Sequence, residues 1–371
     1  MPASLKEIAF FFLKLGSLSF GGPAVHIAMM EEEVVRRRKW LSHEHFADLI
    51  GATNLIPGPN STEMAMHCGH EKQGLKGLIV AGMCFIFPAV LITSLLAWAY
   101  KEYGELPEVA PFIYGVKPAI ISVILTSVFY LGRTVIKNVE LGIMALTAAT
   151  LCVVGVNDIA VLFGTGLYGI VSYGVRKNRA GKSLIIPFVS IQNGEAPSYA
   201  ALTIFWTFLK VGAILYGSGY VLFAFLDQEL GTTGLMSRQQ LADAVAGGQI
   251  TPGPVFSAAT FVGWQLGGYE GAIAATIGIF LPSFLFVAWL NPLIPKLRRS
   301  PVMSAFLDAI NAGSIAVIAA VCWDMGKETI TDWRAIVIAL LSLGLGLIFK
   351  RLNSSVVVIG GAALGYILKL F

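Results

Sequence analysis

Asn54-Leu55-Ile56-Pro57-Gly58-Pro59-Asn60 and Gln249-Ile250-Thr251-Pro252-Gly253-Pro254 are two copies of one motif, and their relation decides the fold. Pro57 maps onto Pro252 at an offset of 252 − 57 = 195. Working outward, Leu13-Lys14-Leu15-Gly16 matches Leu209-Lys210-Val211-Gly212 at 210 − 14 = 196, and Glu33 then aligns with Glu229. On the other side, Gly69, Gly74, Gly77 and Pro88 match Gly263, Gly268, Gly271 and Pro282 at 263 − 69 = 194. The order is kept and the offset barely drifts, which is the mark of an internal duplication. The two repeats occupy 1–175 and 199–371. The basic segment 176–198, with Arg176, Lys177, Arg179 and Lys182, reads as a linker.

The chain has 371 residues, of which 56% are hydrophobic and 13% charged, against about 25% charged in an ordinary soluble domain. Mean hydropathy is +0.74. Apolar stretches such as 75–99, 113–131 and 335–349 are of the order needed to carry an α-helix across a ~30 Å hydrocarbon core. They lack the alternation of a transmembrane barrel. The fold class expected is therefore an all-α polytopic membrane protein. The start of the chain places Lys14 inside its apolar region with no small-residue pattern after it, so it does not read as a cleavable signal. The net charge of +4 sits in short loops, where topology accounts for it and nucleic acid does not.

Loop charge shows that the second repeat is inverted. The helix 75–100 is followed by 101–110, with one Lys and three Glu, a net of −2. Its counterpart 272–290 is followed by 291–300, with Lys296, Arg298 and Arg299, a net of +3. Equivalent loops of opposite charge lie on opposite sides. Arg133 and Lys137 likewise mark an inside turn, as do Lys350 and Arg351. This pattern predicts about ten transmembrane helices, both termini outside, the linker inside, and an inverted-topology repeat of the kind secondary transporters use.

Two kinds of segment depart from plain spanning helices. The first helix is interrupted by Phe20-Gly21-Gly22-Pro23, and its mate by Tyr216-Gly217-Ser218-Gly219. Gly and Pro unwind a helix, which a membrane tolerates only within protein or along a wet cavity. Segments 45–70 and 239–266 have arms too short to span, which predicts two re-entrant helical hairpins tipped by the Pro-Gly-Pro motifs. Free backbone N–H groups after each break favour an anion. Asn60, Ser61, Thr62, Thr251 and Ser257 add donors, and His26 could donate to an oxyanion or sense pH. Lys14 and Lys210 fall near the bilayer midplane, where an ammonium marks a substrate path or an ion pair. Asp48 and Asp243 are the partners the alternative ion-pair reading names. Glu33, Asp48, Glu229 and Asp243 are the candidate coupling carboxylates, although Glu31-Glu32-Glu33 before Arg36-Arg37-Arg38-Lys39 also reads as a charged helix end.

Other signals carry less. Gly181-Lys182-Ser183 ends like a P-loop, but the position that must be Gly is Arg176. His43-x-His45 and His67-Cys68-x-His70 could ligate a metal, yet half two has no histidine at all. No catalytic constellation and no cofactor motif is apparent, so an enzyme is not expected.

The run from Ser19 to Gly69, with its FGGP, IPGPN and HCG, resembles the N-terminal domain of the chromate ion transporter (CHR) family. The run from Gly217 to Phe284, with QITPGP and FLPSF, resembles its C-terminal domain. The resemblance implies export of chromate across the bacterial inner (plasma) membrane, chromate resistance, and sulfate as the natural competitor. The positions matching the family's motifs are Lys14, Gly21–Pro23, Glu33, Asn54, Pro57–Pro59, Gly217–Gly219, Gln249 and Pro252–Pro254. A proton is the candidate coupling ion and a homodimer the candidate assembly. A transporter of sulfate or another oxyanion, or a gated anion channel on the same fold, is the alternative. If the lysines line the path, Lys14→Ala or Lys210→Ala stops chromate uptake into inverted vesicles without impairing membrane insertion.

Overall fold

The computed structural model describes residues 3–104, 106–177, 201–216, 221–231, 234–290, 300–349 and 352–370. Its regular elements are helical, and they come in two matching series. In the first half these are α1 (Leu5–Leu18), α2 (Pro23–Met30), a π-helical turn (Glu31–Arg37), α3 (His43–Thr53), α4 (Asn60–Tyr103), α5 (Ala110–Val135), α6 (Val139–Val153) and α7 (Asp158–Lys177). The second half repeats them as α8 (Ala201–Ile214), α9 (Val221–Leu226), a π-helical turn (Asp227–Gly231), α10 (Arg238–Ile250), α11 (Ala258–Leu290), α12 (Pro301–Thr329), α13 (Trp333–Ile348) and α14 (Ser354–Leu370). Ser4 with Glu7, and Ser237 with Gln240, form capping boxes at the starts of α1 and α10. Ser42, Asn138, Ser300 and Asp332 cap α3, α6, α12 and α13.

Among the described residues, five stretches are long and apolar enough to cross a membrane: Asn60–Tyr103, Ala110–Val135, Asp158–Arg176, Val255–Trp289 and Pro301–Thr329. Four shorter apolar helices join them, at Val139–Val153, Ala201–Ile214, Trp333–Ile348 and Ser354–Lys369. On α4, Leu75, Ile79, Met83, Phe87, Leu91 and Leu95 recur every four residues, and each is at least 51% exposed. Such a stripe is a lipid-facing surface, since an apolar patch of that extent does not persist in water.

The 44 residues of α4 would measure about 66 Å as one rod. They do not form one. Gln73 (φ −139°, ψ 22°) and Gly74 (φ 56°, ψ −144°) leave the helical region, and the arms on either side fold back so that Gly69 packs directly on Gly77. In α11, Gly267 (φ −143°, ψ 24°) and Gly268 (φ 61°, ψ −146°) repeat the turn, with Gly263 on Gly271. Only glycine tolerates both the left-handed backbone and the contact of bare backbones. α3 and the first arm of α4 thus form the expected re-entrant hairpin, its arms about 17 and 20 Å long at 1.5 Å per residue.

Inversion is visible in the packing of α4 on α11. Gly82 lies against Phe284, Thr93 against Ser257, and the Gln265 amide donates to the Ala97 carbonyl at 2.9 Å. Because 258–266 folds back on 269–290, these pairings make the long arms antiparallel. The halves also exchange helices. α6 and α7 pack on α12, and α13 and α14 pack on α5. Gly115 meets Gly361 and Gly365, Gly169 meets Ala305, and Ser122 donates to the Ala339 carbonyl at 2.8 Å.

The first helix differs from expectation. The sequence suggests one crossing interrupted at Gly21-Gly22, but after the break the chain turns back along α1. Lys14, Ala28 and Glu32 line one cavity, and the Arg38 guanidinium sits 5.5 Å from the Phe11 ring centroid. Positive φ at Gly21 (116°) and Gly22 (82°) makes the reversal possible. The Gln73 amide donates to the Ala3 carbonyl at 2.7 Å, so Ala3 lies at the end of the bundle that carries Arg133 and Lys137, not the opposite one. Of the linker, only Arg176 and Lys177 belong to the described residues, and the 291–299 loop lies outside them.

The glycine contacts give a stability test. Gly77→Ala and Gly271→Ala push a methyl group into backbone, and overpacking of this kind costs about 1–3 kcal/mol. Each is expected to lower the thermal midpoint in detergent by several degrees, whereas Gly164→Ala, with open space around it, should not.

Candidate functional site at the crossing of two hairpin tips

Each hairpin tip ends in a Pro-Gly-Pro turn because Pro cannot continue a ladder of N–H donors and Gly supplies positive φ: 137° at Gly58 and 87° at Gly253. Both tips are buried against the opposite half. The Gly58 N–H donates to the Leu215 carbonyl at 2.9 Å, and the Gly253 N–H donates to the Ser19 carbonyl at 2.8 Å. Leu215 and Ser19 are equivalent positions, each just beyond the last turn of a broken helix. The tips therefore meet where the two broken helices end. Gly253 packs on the Gly16 carbonyl and Ala89, about halfway along the second arm of α4.

Beside this crossing lies a cavity of 650 Å³. Half one contributes Gly21, Gly22 and Pro23 at the start of α2, with Asn54 and Asn60 on the hairpin tip. Thr126, Ser127 and Tyr130 of α5 and Asn311, Ser314, Ser342 and Asn353 of half two add hydroxyls and amides. The Asn60 amide donates to Asn54 Oδ1 at 3.0 Å, which orients both side chains. Among the described residues, those lining this cavity carry no charge. It offers neutral donors, together with the start of a helix whose first residue is Pro and whose cap, Gly22, makes no side-chain bond.

Other expected residues sit elsewhere. Pro57, Gly58, Pro59, Ser61, Thr62, Pro252, Pro254 and Ser257 are buried in the packed crossing. Thr93 of α4 donates to Ser257 Oγ at 3.1 Å, and Thr251 donates to the Gly248 carbonyl at 2.9 Å. The Gln249 carbonyl accepts from Ser355 at 2.9 Å. His26 is buried, stacks edge-on against Phe85, and places Nε2 3.3 Å from the Ser19 carbonyl. It braces the strap rather than the cavity. Gly217, Ser218 and Gly219 lie outside the described residues.

The lysines depart from the expectation of a shared lining. Lys210 Nζ bonds Glu229 Oε1 at 2.5 Å, so its ion-pair partner is Glu229 and not Asp243. Lys14 is exposed and shares a separate cavity with Glu32 and Glu33, while Glu33 accepts from Arg38 at 2.8 Å. Depth along a helix was legible from residue number, but the face on which the side chain emerges was not. Asp243 instead accepts from Tyr100 at 2.7 Å and lies 3.5 Å from Lys117. These line a cavity of 510 Å³ with Lys101, Gln239, Gln240 and Glu328. Its counterpart Asp48 is exposed on α3. His43 and His45 pair with Glu31 and Glu71, at 3.1 and 2.9 Å.

One buried carboxylate lies outside the residues that the sequence motifs single out. Glu63, in the first turn after Pro-Gly-Pro-Asn, is fully buried and accepts from Ser283 Oγ of half two at 3.1 Å. A lone carboxylate within an apolar intramembrane run was the signal that could have found it.

Comparison with known proteins agrees with this architecture. The family model described as Chromate transporter matches the chain twice, at residues 6–170 and 202–366. The "Probable chromate transport protein" of Synechococcus elongatus is 29% identical over 352 residues, covering 92% of this chain and 89% of its own. The "Chromate transport protein" of Cupriavidus metallidurans is 29% identical over 377 residues, covering 98% and 93%. A shorter relative, "Uncharacterized transporter YwrA" of Bacillus subtilis, is 30% identical over 132 residues, 36% of this chain and 73% of its own. No solved structure matches.

If Lys210 serves by neutralising Glu229, the exchange Lys210→Glu with Glu229→Lys restores the transport that Lys210→Ala removes. Removing the lysine alone leaves the half-buried Glu229 carboxylate without this cation, which the exchange avoids. Persistent loss in the doubly exchanged protein, at normal membrane levels, assigns the lysine to the substrate instead.

Proposed function

Because the chain belongs to the chromate transporter family, we propose that it is a secondary active transporter that exports chromate across the bacterial inner membrane and so confers chromate resistance. The observation that carries this is the uncharged, donor-lined cavity where Gly21, Gly22, Pro23, Asn54 and Asn60 meet. A tetrahedral dianion is held well by several neutral N–H and O–H dipoles, which bind it without the desolvated ion pair that would slow its release. The cavity is bordered by Tyr130, Val135 and Phe349, near the turn of Arg133 that the positive-inside rule assigns to the cytoplasm. Chromate thus enters from inside in this conformation.

The half-two tip is sealed on the other side, where Asp243, Tyr100 and Lys117 close α10 against α4 and α5. Exchanging the roles of the two tips, which the inverted repeat makes nearly equivalent, turns the site outward. Sulfate shares chromate's charge and shape and competes for the same donors. The repeats at 1–175 and 199–371 act as one unit because each tip is tied to the other's broken helix.

Asn60→Leu removes a donor and fills the cavity with an apolar group. It is expected to cut flux at least tenfold in proteoliposomes supplied with chromate, sulfate or molybdate under imposed pH or voltage gradients. Wild-type flux that never exceeds the anion's own electrochemical gradient makes the protein a gated channel instead.

A further inference from the structure

Glu63 does not line the anion cavity, yet it is closely confined. Its side chain lies directly beneath Gly58 at the tip of hairpin one, together with the Ser283 hydroxyl from α11. It is 0% exposed. Oε1 accepts from Ser283, and among the described residues Oε2 has no hydrogen-bond partner. The corresponding position of half two, 63 + 195 = 258, is Ala258, and the counterpart of Ser283, 283 − 194 = 89, is Ala89. The carboxyl and its hydroxyl are therefore an addition to one side of a symmetric frame.

Among the described residues, no lysine or arginine forms an ion pair with this carboxyl. Its titratable neighbours are Tyr216 at the end of α8 and His67 one turn further along α4. Lys14 on α1 and Asp48 on α3 are exposed. His26 on α2 is turned to the Ser19 carbonyl, and Asp243 on α10 is held by Tyr100 and Lys117. α11 presents Ser283, and the 3₁₀ turn Val255–Ser257 presents the hydroxyl of Ser257 to Thr93. An ionised carboxylate in such a place keeps one hydrogen bond and loses its water, which is strongly unfavourable. A neutral carboxylic acid fits. To ionise, the group must reach water, which separation of the hairpin tip from α11 would provide.

Resting on the reading of the chain as an oxyanion transporter, we propose that Glu63 is the proton-carrying group that couples oxyanion movement to proton movement. The Glu63 O–H proton passes to water when the tip opens toward one side, leaving the carboxylate. The carboxylate takes a proton from water on the other side before the tip closes again. The Gly58–Leu215 strap ties this event to the broken helix of half two. Ser283 is a positioning residue: its hydroxyl donates to the carboxyl and sets how readily the proton leaves.

The test uses the full chain in proteoliposomes with two readouts: chromate exchange at equal concentrations without a gradient, and chromate accumulation driven by a pH gradient with an internal pH dye. Glu63→Gln, which keeps the shape of the neutral acid, is expected to continue exchange while losing pH-driven accumulation and the accompanying proton flux at least tenfold. Ser283→Ala keeps the carboxyl and is expected to shift the pH dependence of accumulation, a change that a merely structural hydroxyl would not produce. Undiminished pH-driven accumulation in Glu63→Gln overturns the proposal. So does an unshifted pH profile in Ser283→Ala, should the first variant fail to fold. Absence of wild-type chromate exchange overturns the transport reading itself, and with it this one.

Discussion

The bond from each hairpin tip to the other half's broken helix governs the rest of the structure. Unwinding a helix in the bilayer leaves backbone groups with no water to satisfy them, each a cost of several kcal/mol. Here the Ser19 carbonyl takes the Gly253 N–H and the Leu215 carbonyl takes the Gly58 N–H. The two halves thus satisfy each other's breaks. Neither broken helix is complete alone, which is why the tips must reach the same depth and why the arms of α3, α4, α10 and α11 have the lengths they do.

Within that shared frame the halves have diverged in chemistry. Hairpin one shows Asn54 and Asn60 to a cavity and hides Glu63 beneath its tip. Hairpin two buries Thr251 and Ser257 against Thr93 and ties Asp243 to Tyr100 and Lys117. Equivalent positions of one frame thus carry side chains of different chemistry. Lys210 pairs with Glu229, and Glu33 with Arg38, beside the broken helices.

The duplication, the inversion and the Pro-Gly-Pro tips were legible in the sequence, because glycines, prolines and loop charges act locally and in fixed register. The fold-back of α2 along α1 was not, since Gly21-Gly22-Pro23 announces a break without giving the angle of departure. The lysines illustrate the same limit. Residue number placed Lys14 and Lys210 at depth, but a rotation about the helix axis decides between a cavity and a carboxylate. The exchange of α6–α7 and α13–α14 between halves left no local mark, because an apolar helix face fits several partners. Glu63 was visible as a charge among apolar residues, and only its contact with Ser283 across the pseudo-symmetric interface made it a site.

The exchanged helices bear on how the molecule is made. α5 finds its partners in α13 and α14, so the Tyr114 hydroxyl waits for a carboxylate 218 residues further on, at Asp332. At synthesis rates of about 5–20 residues per second, that interval is roughly 10 to 40 s. Throughout it, α5 lacks the partners it has in the finished structure, among them Gly361 and Gly365 against the bare backbone at Gly115. The final packing of the first half is therefore completed only when the second half has been made.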